Sequence, residues 1–369
     1  MKKIISFIKK ETVLVISGVL AIISMFAVTL NIGYIDYIDF RTLALLLSLM
    51  AVMAGLSEIG VFASLAQYLL KKATTVRSIC TTLVMLCFFS SMLFTNDVAL
   101  ITFVPFALET LSRAGRKKDI TAVVILQTVA ANLGSMLTPV GNPQNLYLYS
   151  LSGMSAAEFI RLMLPYTVMS LIMILIMLLI FPKDKAEYIS QATAVPPKHM
   201  IAFYAILFLL CLSTVAKLTN CFIVLAAVLI LIAVIDKKVL IKIDYSLILT
   251  FIFFFIFIGN LGKINVFSTL ISNVLNGHEV LISVLCSQCM SNVPAAVLLS
   301  GFTKNLEALI IGTNLGGLGT LIASMASLIS YKYIAANDTK GKYILYFSLV
   351  NIAMLIILYL FHLIVPFIF

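Results

Sequence analysis

The chain has no tryptophan, only three histidines, and charge on just 11% of its 369 residues. A soluble domain carries roughly 25% charged residues, so this composition excludes an ordinary water-exposed surface. His199, His278 and His362 are scattered, and the one C-x-x-C (Cys286 and Cys289) has no second cysteine pair or nearby histidine. A zinc site therefore has no basis, and small helix-packing residues are the better reading. The remaining cysteines, Cys80, Cys87, Cys211 and Cys221, lie in or at the ends of apolar runs and form no disulfide pattern. There is no G-x-x-x-x-G-K loop, so nothing points to ATP as the energy source. No cofactor is implied. Without tryptophan, any aromatic belt at a membrane surface has to rest on tyrosines such as Tyr34, Tyr37 and Tyr147.

What is abundant is apolar sequence: 62% of residues are hydrophobic and the mean hydropathy is +1.14. Runs such as Thr12–Leu30, Phe159–Phe181, Met200–Ala216 and Tyr343–Leu363 suit spans of about 20 residues. The expected fold is an all-α polytopic membrane protein whose main partner is the lipid bilayer. The net charge of +10 does not suggest nucleic acid, because the basic residues sit in short clusters between spans. Met1–Lys10 is basic like a signal-peptide start, but no small-x-small cleavage site follows, so a retained first helix is expected.

Placing Lys2, Lys3, Lys9 and Lys10 in the cytoplasm orients the chain. Asp36 and Asp39 then lie outside, and Lys71, Lys72 and Arg77 inside, as does the cluster Arg113, Arg116, Lys117 and Lys118. Between those two basic groups, Ile79–Leu111 is only 33 residues, too short for two spans and a turn of about 40. A helical hairpin (79–111) that enters and leaves on one side fits, with Thr95-Asn96-Asp97 at its tip. A broken helix (120–149) and the span Phe159–Phe181 follow, and Pro182–Lys198 is a cytoplasmic loop. Spans at Met200–Ala216, Phe222–Ile235 and Tyr245–Leu261 lead to a second hairpin (280–302), a second broken helix (306–334) and a last span that ends outside. Of 25 Lys and Arg, 20 fall on the cytoplasmic side; Arg41, Arg161, Lys217, Lys263 and Lys304 do not. The plasma membrane is the expected location.

The chain also repeats itself. Ile59–Leu65 (IGVFASL) is echoed by Ile264–Leu270 (INVFSTL), Thr95-Asn96-Asp97 by Ser291-Asn292-Val293, and Asn132–Thr138 (NLGSMLT) by Asn314–Thr320 (NLGGLGT). The halves, 1–182 and 218–369, are joined by residues 183–217, whose odd span flips the second copy. Each half has an interfacial helix (59–70 or 266–275), and the expected result is an inverted repeat. Paired interruptions of apolar segments are the best sequence pointer to a transporter's binding site.

Phe94–Phe106 (FTNDVALITFVPF), Asn132–Leu146 (NLGSMLTPVGNPQNL) and Ser291–Ala296 (SNVPAA) resemble the ion transporter superfamily. More narrowly they resemble its arsenite-permease, sodium–proton antiporter and citrate-transporter branch. The resemblance implies a dimerising scaffold, hence a homodimer, and a transport domain of hairpins and broken helices moving by an elevator mechanism. Dicarboxylate-transporting members carry Ser-Asn-Thr at both tips; Asp97 and Val293 depart from that pattern here.

Chain breaks at membrane depth occur only around a cavity or ligand. Helix N-termini suit an anion, unwound carbonyls a cation, and Asn96 and Asn292 offer both donors and an acceptor. The expected substrate-binding set is Thr95, Asn96, Asn132, Ser135, Thr138, Gly141, Asn142, Ser291, Asn292, Thr313, Asn314, Gly316 and Thr320. Gly134, Gly141, Gly316, Gly317 and Gly319 are expected to let the backbone approach the ligand, while Pro139 and Pro143 break the first helix and Pro105 and Pro294 punctuate the hairpin arms. A carboxylate at the bilayer centre costs about 2.5–3.5 kcal/mol and usually marks an ion pathway, so Asp97 is expected to bind Na+ or exchange H+. Na+ is expected near Asn96, Asp97 and Gly141 and near Asn292 and Gly316. Otherwise Asp97 caps a helix beginning at Val98. Glu109 reads as a surface partner of Arg113, and Glu58 as an interfacial ion-pair partner. Three function classes remain: a Na+- or H+-driven transporter of a small anion or oxyacid, a cation–proton antiporter, and an intramembrane enzyme, for which no Ser–His pair, second buried Asp or His-Glu motif is visible.

Overall fold

The computed structural model describes residues 11–28, 32–186, 195–334 and 340–364. The basic N-terminal cluster, the end of the first span at Leu30 and the middle of the central loop lie outside the described residues. Those residues are almost entirely helical, and the one β-type contact is an isolated bridge between Thr75 and Lys185.

The first half runs α1 (Thr12–Ala27), α2 (Phe40–Glu58), α3 (Val61–Leu70), α4 (Val76–Leu93), α5 (Asn96–Arg113), α6 (Ile120–Ser135), α7 (Pro143–Ser152) and α8 (Ala156–Leu178). A linking helix, α9 (Lys198–Val215), follows. The second half runs α10 (Cys221–Ile235), α11 (Tyr245–Gly262), α12 (Asn265–Leu275), α13 (Glu279–Met290), α14 (Asn292–Ser300), α15 (Leu306–Leu315), α16 (Met325–Ile334) and α17 (Lys340–Ile364). Among these, α2, α4, α8, α9, α11 and the stretch Gly341–Ile364 of α17 are long and apolar enough to cross a membrane. The pair α12 and α13, bent by 115°, would make a seventh crossing. Several starts are locally specified: Asp39 caps α2, Thr75 and Ser78 form a capping box on α4, Ser155 and Glu158 do so on α8, and Asn220 caps α10.

The packing exchanges elements between the halves. Helix α1 lies on α11, and α10 lies on α2. A hydrogen bond from Asn260 Nδ2 to Ser24 Oγ (2.9 Å) ties the first of these pairs. Within each half the hairpin folds onto its own broken helix, α4 and α5 on α6, and α13 and α14 on α15. These contacts are close because Gly134 faces the Phe88 carbonyl and Ser91, and Gly316 faces Ser287. A β-carbon at either position would overlap its neighbour. Both glycines thus serve helix contact, and the Gly316 carbonyl accepts from Gln288 Nε2 at 3.0 Å. Gly319 sits at φ +109° beneath the Gln288 side chain, a turn that favours glycine.

Tyr147 does not stand in an aromatic belt. It falls in α7, enclosed by α14 and α15, with its hydroxyl 2.8 Å from Ser300 Oγ and its ring on Phe251 and Phe255. Tyr37 is partly exposed, with the Lys263 ammonium 5.1 Å above its ring. Glu109 pairs with Arg113 at 2.5 Å, and Glu58 with Lys242 at 2.5 Å; both pairs are about half exposed.

Candidate functional site

The two hairpin tips are built alike. In the first, α4 ends at Leu93, Phe94 and Thr95 are extended, and α5 begins at Asn96. In the second, α13 and α14 are separated by Ser291 alone, which takes φ +76°, a costly conformation for a residue with a side chain. Each tip asparagine then makes the same bonds. Asn96 N–H donates to the Gly141 carbonyl (3.1 Å) and Asn292 N–H to the Ala323 carbonyl (3.0 Å). Their Oδ1 atoms accept from the next backbone N–H, Asp97 at 2.9 Å and Val293 at 3.0 Å. The first N–H groups of α5 and α14 are thereby partnered.

That geometry corrects the capping reading of Asp97. The helix begins at Asn96, not Val98, and the Asp97 N–H is taken up by Asn96, so its carboxylate caps nothing. Asp97 Oδ1 is buried and has no hydrogen-bond partner among the described residues. Two neighbours share this condition, Asn142 Oδ1 and Gln144 Nε2.

The broken helices clasp one another across the halves. Asn132 on α6 accepts from Asn96 Nδ2 (3.0 Å) and from Ser324 Oγ (3.0 Å), and its own amide reaches Gly317 O (3.4 Å) and Ser327 Oγ (3.5 Å). Asn314 on α15 accepts from Asn142 Nδ2 (3.4 Å) and donates to Asn145 Oδ1 at 2.6 Å. Asn145 in turn donates to the Ser135 and Thr138 carbonyls, both at 3.2 Å, across the break. Each half's helix asparagine is therefore held by two residues that follow the break in the other half. All these asparagines are almost completely buried, where an unmade bond is expensive.

The sequence-predicted residues divide clearly. Asn96, Asp97 and Asn292 come together with Gln144 and Ser324 around a gap of about 10 Å³, room for one water or a bare ion. Thr95, Asp97 and Asn142 line a larger cavity of about 300 Å³ that runs between α2 and the first tip to Asp244, Glu58 and Lys242. Asn132 and Asn314 form the clasp, and Ser291 sets the second tip. Ser135 bonds back to the Asn132 carbonyl (2.9 Å) and Thr313 to Leu309 O (2.7 Å), both within their own helices. Thr138 and Thr320 are pins: their hydroxyls bond the Met92 and Gln288 carbonyls, and Thr320 is exposed. Gly141 holds Asn96 through its carbonyl. Asn145, Ser324, Ser327, Gln144 and Gln288 belong to the site and were absent from the sequence-based set. For Asn145, Ser324 and Ser327 the signal was positional: Asn142 and Ser324, and Asn145 and Ser327, stand at equal offsets after the repeated Asn132 and Asn314.

Chemically, Asp97 and Asn142 of the larger cavity each carry a buried acceptor oxygen with no partner among the described residues, which could hold a cation, and Gln144 of the small gap carries an unpartnered donor. Among the described residues no group of three or more His, Cys, Asp or Glu is placed to hold a metal.

Paired hairpins and mutually clasped broken helices inside an apolar helical chain define an integral membrane protein built around a central polar site. The chain belongs to the Citrate transporter family (CitMHS), which its sequence matches over residues 3–308. It is 38% identical over 280 residues to the uncharacterized transporter MJ0456 of Methanocaldococcus jannaschii, covering 75% of this chain and 76% of that protein. It is 30% identical over 294 residues to the inner membrane protein YbiR of Escherichia coli, covering 78% and 77%. A shorter match, 31% over 110 residues, covers 30% of this chain and 22% of the silicon efflux transporter LSI3 of Oryza sativa. The chain is accordingly a transporter and not an enzyme.

Proposed function

We propose that this chain is a secondary transporter that moves a small anion or oxyacid, carboxylate or arsenite-like, coupled to Na+ or H+. The observation that carries this reading is the meeting of two asparagine-tipped hairpins beside Asp97, whose buried oxygen has no partner, at the end of a 300 Å³ cavity. A membrane protein keeps such a carboxylate for an ion or proton. The halves act as an inverted repeat in the plasma membrane, with the N-terminus cytoplasmic and the C-terminus outside. The reciprocal clasp supports this, because two-fold related halves would make the same bonds in both directions. Elevator movement of hairpins and broken helices against a dimerising scaffold of α1, α2, α10 and α11 is the mechanism that this arrangement suits.

A second reading, a Na+/H+ antiporter of the same fold, is favoured by the charge of the cavity. Its charged lining is Glu58, Asp97, Asp244 and Lys242, and Lys242 is already engaged by Glu58. One experiment separates the two. Protein is reconstituted in liposomes, a Na+ gradient is imposed, and internal pH is followed with and without carboxylates and arsenite. A pH change requiring an added solute supports solute transport. A pH change with none supports the antiporter. Because Na+ symport of an ionised carboxylate moves no proton, uptake of labelled solute under Na+ and H+ gradients is followed as well, and silence of both pH and uptake refutes both.

A further inference from the structure

We propose that the groove between α6, α8 and α17 binds an anionic phospholipid, with one acyl chain between the helices and the phosphate at Lys118. The three helices pack on one another and leave between them a cavity of about 480 Å³, within the roughly 300–1,000 Å³ of sites that enclose small organic ligands. Its walls are apolar: Ile125 from α6, Ile176 from α8 and Val350 from α17. The mouth is different: the exposed Lys118, just before α6, stands there, and Thr121 of α6 and Tyr346 of α17 supply the other polar groups of the lining.

Charge selects the occupant. Lys118 is exposed and has no ion-pair partner among the described residues. Asp119, next to it in the chain, is engaged by Arg116 at 2.7 Å, and Arg116 also reaches Asp184 at 3.5 Å. The free charge at the mouth is therefore positive. The first N–H groups of α6 reinforce that field, since Asp119 makes no side-chain cap there. A basic mouth above an apolar slot between membrane helices fits a headgroup of net negative charge with its chain below, whereas a zwitterionic lipid brings the same phosphate with a compensating cation and gains less from Lys118. This site is separate from the hairpin tips and does not depend on the proposed substrate.

The test uses the purified full-length protein in neutral detergent, titrated with dioleoyl-phosphatidylglycerol or dioleoyl-phosphatidylcholine and read by native mass spectrometry. Phosphatidylglycerol should bind more tightly, and added salt should reduce the difference. Lys118→Gln should weaken phosphatidylglycerol about fivefold, the effect of one basic residue near a charged lipid surface, and weaken phosphatidylcholine less. Ala122→Phe, which fills the slot, should reduce both lipids, and Lys237→Gln, on another element, should change neither. Equal binding of the two lipids by the native protein, or equal effects of Lys118→Gln and Lys237→Gln, would overturn the proposal. Lys118 is exposed, so its variant is expected to fold; an unchanged unfolding temperature checks this.

Discussion

Replacing Asp97 by asparagine should make the protein more stable while abolishing its ion coupling. The carboxylate sits in the first turn of α5 with one oxygen buried and unpartnered. Insertion scales put a carboxylate at the bilayer centre at about 2.5–3.5 kcal/mol, and its position near a helix N-terminus returns about 0.3–1 kcal/mol. The cavity also reaches Asp97 and hydrates it in part, so we take a net gain of about 1–2 kcal/mol for the neutral, isosteric amide. For a chain of this size that is a rise of a few degrees in unfolding temperature. The assay is thermal unfolding in detergent at alkaline pH with choline as the only added cation. Sodium is then added. If Asp97 holds Na+, a hundredfold excess over the dissociation constant should stabilise the native protein by about 2.7 kcal/mol and the variant hardly at all. A variant less stable than the native protein without sodium would show that Asp97 makes a structural bond, and the reasoning from its unpartnered oxygen would be refuted.

Other outcomes are expected from the same geometry. Asn145→Ala removes three buried hydrogen bonds, and at about 0.6 kcal/mol per bond between membrane helices it should cost about 2 kcal/mol; chemical denaturation would measure it. Asn132→Ala and Ser324→Ala should be non-additive by about 0.5 kcal/mol or more in a double-mutant cycle, because Ser324 donates directly to Asn132. Gly134→Ala should be far more damaging than Gly60→Ala, since a β-carbon at Gly134 meets the Phe88 backbone and one at Gly60 meets only open space, despite its φ of +79°; expression and unfolding temperature would rank them. Breaking the half-exposed Glu58–Lys242 pair by Lys242→Gln should change stability by no more than about 1 kcal/mol, so any larger effect on uptake would report on the cavity mouth.

The hairpins and broken helices could be read in the chain because their signals are local. A polar Thr-Asn-Asp or Ser-Asn-Val between apolar runs, and Gly and Pro around Thr138–Asn145, mark breaks whatever they pack against. The observed helices α13 to α16 begin and end within a few residues of the predicted boundaries wherever a break was marked in this way. The clasp was not legible, because it depends on how two distant breaks face each other. Asn145, Ser324 and Ser327 carry no local signal of their own; each gains its role only by standing opposite the other half's asparagine. Tyr147 misled for a related reason: tyrosines at membrane surfaces and tyrosines enclosed by a returning helix have the same sequence neighbours. Only the alternative capping reading of Asp97 failed, through a shift of two residues: the helix starts at Asn96, whose Oδ1 takes the Asp97 N–H.

The exchange of α1 and α10 between halves also constrains how the chain is made. At about 5–20 residues per second, roughly 10–50 s pass between synthesis of α1 and the arrival of its partner α11. During that interval α1 waits in lipid without its neighbour. Its two buried serines can tolerate the delay, because Ser17 Oγ bonds Leu14 O at 2.9 Å and Ser24 Oγ bonds Ala21 O at 2.7 Å within the helix itself. Asn260, which arrives late, finds Ser24 already in place. A ribosome that stalls before α11 would release a first half whose opening helix has nothing to dock on, a ready target for membrane quality control.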